Sequence, residues 1–253
     1  MLWILEYIDQ LNTDAVLSLL PRLSEARRAW AQSVSHVPSK LRSILAELLL
    51  RQALWEEYGL TELPRIETGE KGKPFFPECP ELHFNLSHCQ TAVACALDAS
   101  PVGVDVQELR PLRRAARPLA AASPSLPLEG KLSPVRTPVT DEVVPQARKT
   151  PPVYRILSEP ERAWVEAGET PAEQDRRFTA VWTCKEAWGK AQGVGILYDL
   201  KSTCFLPDKG TWKQYDTFFR HFSREKYELT LCSRDPLLCK SIRFEEIQYD
   251  VSE

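Results

Sequence analysis

The segment Val102-Gly-Val-Asp-Val-Gln107 alternates strictly between apolar and small or polar residues. Val102, Val104 and Val106 share one side of a strand, which puts Gly103, Asp105 and Gln107 on the other. A strand aspartate between valines is unfavourable by propensity unless a partner meets it. Its plain reading is a salt bridge or a carboxylate at an exposed strand end. Further on, Trp182-Thr-Cys-Lys-Glu-Ala187 reads as a turn of an amphipathic helix that continues through Lys190 and stops near Gly193. Trp182, Glu186 and Lys190 are four apart and share one helix face. Taken alone, an ordinary i,i+4 Glu–Lys pair is the simpler account of that face. If strand and helix meet, however, two carboxylates oppose each other with lysines on both sides of the glutamate. That arrangement suits a hard divalent cation, because Mg²⁺ takes one or two protein carboxylates and leaves its other positions to water and phosphate oxygens.

The rest of the chain reads as a mixture of helices and antiparallel strands. Trp3 to Tyr7 is expected to be a strand. Leu41, Ile44, Leu45, Leu48, Leu49 and Trp55 fall on a helical period that ends at Gly59, with Arg42 at the helix edge. Lys71-Gly-Lys-Pro74 is a turn. Residues 82–86 and 91–97 read as strands around a bend at 87–90. Ser158 and Glu161 form a capping box for a helix through Trp164, and a second helix spans 178–192. Segments 202–206, 227–233 and 241–247 alternate as strands do. A helix with antiparallel strands in each half gives an α+β protein with two similar halves.

Residues 110–152 differ in character. They hold nine of the twenty prolines and eight Lys or Arg against three acids. Such a composition cannot bury enough apolar surface to offset ordering, so an insertion is expected between a first unit at 1–109 and a second at 153–253. Its charge suits an acidic partner, and an inert solvated loop explains it more simply. The formal net charge of −3 argues against wholesale nucleic-acid binding. No apolar run is long enough for a membrane helix, and the start lacks a secretory pattern, so a cytoplasmic protein is expected. Seven scattered cysteines without a CxxC pair fit reduced thiols. Cys79, His83, His88 and Cys89 lack the spacing of paired zinc ligands.

Together with Gly72-Lys-Pro74 and Asn85-Leu-Ser-His88, the two opening segments form an ordered set. From about Leu41 to Leu206 this set resembles the surfactin-type 4'-phosphopantetheinyl transferases, which move the phosphopantetheine arm of coenzyme A onto a serine of a carrier protein. The resemblance implies two pseudo-symmetric α+β lobes with a cleft between them, Mg²⁺ as cofactor and coenzyme A as co-substrate. It makes Asp105 and Glu186 metal ligands, with Gln107 standing where the commonest pattern has Glu. A glutamine offers a neutral carbonyl oxygen, directly or through water. Glu186 is also a candidate for the base that takes the serine proton. Lys190 and Lys185 are implied to neutralise phosphates. Arg42, Lys73, Pro74, Ser87 and His88 are implied coenzyme A contacts, and Trp182 packs the helix. Arg27 and Arg28 are further basic candidates. Glu161 matches a carboxylate that some members place near the metal, although its cap role is the stronger reading.

The reaction implied is phosphoryl transfer with 3',5'-adenosine bisphosphate as leaving group. No Ser-His-Asp or Cys-His order suggests a protein nucleophile. The partners implied are a fatty-acid, polyketide, peptide-synthetase or other carrier, with neither nucleic acid nor membrane, and a monomer is expected. Two other readings remain: an inactive coenzyme A-binding relative, favoured by Gln107, and a partner-binding module.

Overall fold

The computed structural model describes residues 1–109, 111–112, 156–194 and 199–237. The expected insertion at 110–152 and strand at 241–247 lie outside these residues, apart from Pro111 and Leu112. The first part of the chain contains β1 (Leu2–Glu6), α1 (Thr13–Ser18), α2 (Glu25–Ser33), α3 (Val37–Tyr58), β2 (Glu67–Thr68), β3 (Pro74–Phe75), β4 (His83–His88), β5 (Ala92–Asp98) and β6 (Val102–Glu108). The second contains α4 (Glu159–Glu166), α5 (Pro171–Gln192), β7 (Thr211–Gln214), β8 (Thr217–Ser223) and β9 (Tyr227–Ser233). One antiparallel sheet runs β1-β5-β4 and another runs β6-β9-β8-β7, while β2 and β3 pair in a small ribbon at the Lys73 turn.

Alternation decides what each sheet face meets. On the first sheet, Trp3, Leu5, Phe84, Val93, Cys95 and Leu97 pack against Ile44, Leu45, Leu48 and Leu49 of α3. Its other face presents Leu2, Ile4, Ala92, Ala94 and Ala96, which meet Val102, Val104, Val106, Leu229 and Leu231 of the second sheet. The alanines let the sheets approach closely. The far side of the second sheet carries Phe219 and Cys232, covered by Cys184, Ala187 and Ala191 of α5. The order is therefore helix, sheet, sheet, helix.

The two long helices have well-defined ends. In α3 the His36 ring accepts from Ser39 N, and Pro38 occupies the first turn. In α5 the Thr170 hydroxyl accepts from Glu173 N, and Gly193 closes the helix at φ 68°, where a residue with a Cβ is strained. Both helices begin earlier than the apolar period alone predicts, because their first turns are polar.

One expected strand is corrected. Residues 202–206 form no strand, since the carbonyls of Leu200 and Thr203 accept from Lys185 Nζ at 2.5 and 2.7 Å instead of from a neighbouring strand. The β7–β8 hairpin was not anticipated. Its two-residue link is Tyr215-Asp216, with Tyr215 at φ 52°, and it lacks the Asn-Gly or Gly signal that marks such turns.

Candidate active site

β4 and β6 lie side by side as the edges of different sheets, and side chains join them. Asn85 Oδ1 accepts from Val104 N at 2.8 Å, and Ser87 Oγ accepts from Val106 N at 3.2 Å. Asn85 and Ser87 are two apart, so both reach the same neighbour. Each supplies the acceptor that a strand carbonyl would otherwise give, which satisfies buried N–H groups at an edge. Ser87 Oγ also donates to Asp105 Oδ1 at 3.0 Å.

Against the same carboxylate lies α5. Lys190 Nζ donates to Asp105 Oδ1 at 2.6 Å, Ser87 Oγ at 3.0 Å and Val104 O at 3.1 Å. An ammonium has three donors, and all three are used. Asp105 is 1% exposed. Its Oδ2 is buried without a hydrogen-bond partner, and so is Oε1 of Glu186 on the neighbouring turn. Burial, and next the charge of Asp105, push the Glu186 carboxyl up to about 7, with Lys190 acting in the opposite direction. Orphaned oxygens on two buried carboxyls that feel each other's charge are costly unless a cation or proton joins them. The residues therefore fit the divalent ion that the resemblance implies, with Asp105 Oδ2 and Glu186 Oε1 as its carboxylate donors. Among the described residues no cluster of three or more His, Cys, Asp or Glu is placed to hold a metal, so a third protein donor here would have to be of another type.

Gln107, on the same strand face as Asp105, lines a cavity of about 490 Å³ together with His36, Pro38, Arg42, His88 and Glu108. Arg42, His88 and Gln107 are thus brought together next to the carboxylate pair. His36 was not singled out by sequence; its role as cap of α3 placed it there. The His88 pKa is lowered, first by burial and then by the charges of Arg42 and Lys190. In the free protein at neutral pH His88 is therefore an uncharged ring.

Several of the residues expected to meet the coenzyme have partners within the chain. Lys185 is fully buried and pairs with the equally buried Glu161 at 2.9 Å, while also donating to Thr203 Oγ1 at 3.3 Å. It faces away from the phosphate side of the helix and ties α5 to α4 and to residues 200–205. Glu161 completes its cap, with Oε2 accepting from Ser158 N at 2.7 Å, and Oε1 also accepts from Phe205 N at 2.7 Å. Its carboxylate is spent, and it is not part of the carboxylate pair. Ser87 and Lys190 hold Asp105 instead of presenting free donors to a phosphate. Lys73 Nζ donates to Val102 O at 3.2 Å and Ala191 O at 3.0 Å, where it satisfies the end of α5. Lys73 and Pro74 line a separate cavity of about 300 Å³ with His83, Phe84 and Pro101. Arg27 donates to Ser43 and pairs with buried Glu47, so it serves the α2–α3 contact.

A sequence model described as the 4'-phosphopantetheinyl transferase superfamily matches residues 142–233. The full-length relatives agree with it. The chain is 28% identical over 251 residues to the 4'-phosphopantetheinyl transferase psf-1 of Bacillus pumilus, which covers 94% of this chain and 91% of that protein. It is 25% identical over 247 residues to a 4'-phosphopantetheinyl transferase of Bacillus subtilis, covering 93% of each. Both of these likenesses run along nearly the whole chain, and both relatives are 4'-phosphopantetheinyl transferases. The chain is also similar to the 4'-phosphopantetheinyl transferase Sfp of Bacillus subtilis strain 168, at 33% identity over 108 residues, 42% of this chain and 48% of that one. The likeness fits the site: Asp105 and Glu186 come from the motifs GVDVQ and WTCKEAWGK, and it is these motifs that the fold brings into contact. Gly103 of GVDVQ and Asn85 of the Asn85-Leu-Ser-His88 segment also have roles that were not foreseen.

Proposed function

We propose that this protein transfers the 4'-phosphopantetheine arm of coenzyme A to a serine of an apo carrier protein. The relatives' activity supplies the reaction class. The observation that carries it to this chain is the pair of orphaned oxygens on Asp105 and Glu186, beside a cavity lined by Arg42 and His88. Mg²⁺ is the ion such a hard, oxygen-only pair suits, and when bound it supplies positive charge for the diphosphate. Gln107 adds a neutral oxygen on the same strand face. Arg42 provides the fixed cation of the cavity, and the neutral His88 ring can donate to phosphate or gain a proton when an anion arrives.

In the reaction the carrier serine oxygen forms a bond to the phosphorus bearing the pantetheine arm. The bond from that phosphorus to the bridging oxygen breaks, and 3',5'-adenosine bisphosphate leaves with the electron pair. Glu186 is the candidate to take the hydroxyl proton. Lys190 and Ser87 keep Asp105 fixed while charge moves, which is the kind of preorganisation that costs nothing at the moment of reaction.

The surfactin-type subclass is supported by the likeness to the Bacillus proteins over nearly their whole length. The two-lobe reading is supported by connectivity: β1-α3-β4-β5 forms the order β1-β5-β4, and β6-α5-β8-β9 forms β6-β9-β8. On that reading the lobes are 1–109 and 153–253, with 110–152 inserted between them and the coenzyme held where β4 meets β6. β6 closes the first lobe in sequence but lies in the second sheet, so it belongs to both. No helix among the described residues is long and apolar enough to cross a membrane, and Cys79, Cys89, Cys95, Cys184 and Cys204 are free thiols, which fits a monomer working in a reducing cytoplasm.

The test is to incubate the protein with coenzyme A, Mg²⁺ and a panel of apo carriers and weigh the carriers. A gain of one phosphopantetheine is expected for wild type and none for Asp105→Ala, whose fold should persist. A normal rate in Asp105→Ala overturns the assignment. Gln107 and the lack of a third described acidic, His or Cys donor favour an inactive coenzyme A-binding relative as the second reading; binding of coenzyme A without any mass gain on the carriers would establish it.

A further inference from the structure

Gly103 stands two residues before Asp105 on the same strand face, directly beneath α5. A Cβ at this position would lie 2.0 Å from Ala187 O and 2.7 Å from Ala191 N. Both are backbone atoms of the helix that carries Glu186 and Lys190. A flexible side chain could turn aside at such distances, but main chain in the middle of a helix cannot. Any side chain at 103 therefore requires α5 to retreat from β6 by about 1 Å or more, given ordinary contact distances near 3.5 Å.

We infer that Gly103 is a positioning residue for the proposed transfer reaction, setting the separation between the Asp105 and Glu186 carboxylates. Ala187 directly follows Glu186, and Ala191 directly follows Lys190, so each contact lies next to a functional side chain. The opposite wall is fixed: Asn85 and Ser87 hold β6 to β4 from the other side. A helix that retreats carries Glu186 Oε1 from Asp105 Oδ2 and Lys190 Nζ from its 2.6 Å contact. Two oxygens that should share one ion no longer reach it together. Misplacement of about 1 Å in such a constellation can cost a hundredfold in rate.

This inference rests on the proposed metal-dependent transfer, and the experiment separates the two. Wild type, Gly103→Ala and Leu45→Ala are compared as full chains. Leu45 is fully buried in α3, remote from α5, so its truncation lowers stability without moving the helix. Mn²⁺ uptake without coenzyme A is followed by electron paramagnetic resonance, and transfer is measured against Mg²⁺ concentration. Gly103→Ala should weaken Mn²⁺ uptake and raise the Mg²⁺ needed for half-maximal transfer, each at least tenfold, with a fall in kcat larger than any change in KM for coenzyme A. Leu45→Ala should lower the melting temperature and leave the metal dependence within about twofold of wild type. Equal metal dependence in Gly103→Ala and wild type overturns the role of Gly103 while leaving the transfer reading intact. Wild type that takes up no Mn²⁺ and modifies no carrier overturns both. Should Gly103→Ala not fold, Ala187→Val pushes on the same helix–sheet contact from the helix side, and the same criteria apply.

Discussion

The two carboxylates of the site do different work. Asp105 is held through one oxygen by Ser87 and Lys190, whereas Glu186 keeps an oxygen with no partner and a pKa raised to about 7. The sign of the pH dependence follows. The folded pKa of Glu186 exceeds its unfolded value near 4.5, so its contribution to metal-free stability is fully present below about pH 4.5 and is lost as pH rises through about 7. Urea denaturation without metal should show this group's loss between pH 5 and pH 8, and added Mg²⁺ should reverse it. Metal uptake should strengthen with pH up to about 7, level off above it and release protons, which calorimetry in buffers of different ionisation enthalpy detects. Lys190→Met keeps the length of the side chain but leaves the buried Asp105 carboxylate without its cation. Because Lys190 is about one-quarter exposed, a loss on the order of 2 kcal/mol in urea denaturation is expected, below the 3–5 typical of fully buried pairs.

At the scale of elements, the join of β4 to β6 makes a separate prediction. Asn85→Ala leaves the Val104 N–H buried and unpaired, which should cost about 1–3 kcal/mol by thermal or chemical denaturation. A fall below about 0.5 kcal/mol would mean that Asn85 does not hold the edge. How much of these elements the sequence revealed depends on whether their signals are local. β6, β9, the core of α3 and the end of α5 were visible because alternation, helical period and a closing glycine are written in consecutive residues. The β7–β8 hairpin was hidden because Tyr215 adopts a left-handed turn that glycine usually signals. Residues 202–206 misled because their alternation serves Lys185, a partner 15 to 18 positions away that no local pattern reveals. At the site, Asp105 and Glu186 were legible as chemistry. The occupations of Lys185, Lys190, Lys73 and Ser87 were not, since a basic or hydroxyl residue in a motif does not declare whether its donors face a ligand or the chain's own carbonyls.

For the molecule as a whole, the described residues that flank 113–155 are informative. Leu112 and Ile156 both pack into the small cluster formed by Leu157, Val165 and Val181, and Leu112 N donates to Asp175 Oδ1 at 2.6 Å. The two ends thus return to one place on α4 and α5. Removing residues 114–141, which lie outside the span matched by the family model, should leave the melting temperature within a few degrees of the parent and transfer to small carriers intact. Loss of transfer with unchanged melting would instead make that basic stretch a carrier contact.

The join between the two sheets bears on how such a molecule could yield to its substrates. Among the described residues β4 and β6 share no main-chain rung, only the amide of Asn85 and the hydroxyl of Ser87. Moving β4 along β6 would therefore break the bonds of Asn85 to Val104 N and of Ser87 to Val106 N and Asp105, and leave every ladder whole. Because the Ser87 hydroxyl also steadies Asp105, shear along this line would be felt at once by the reacting centre.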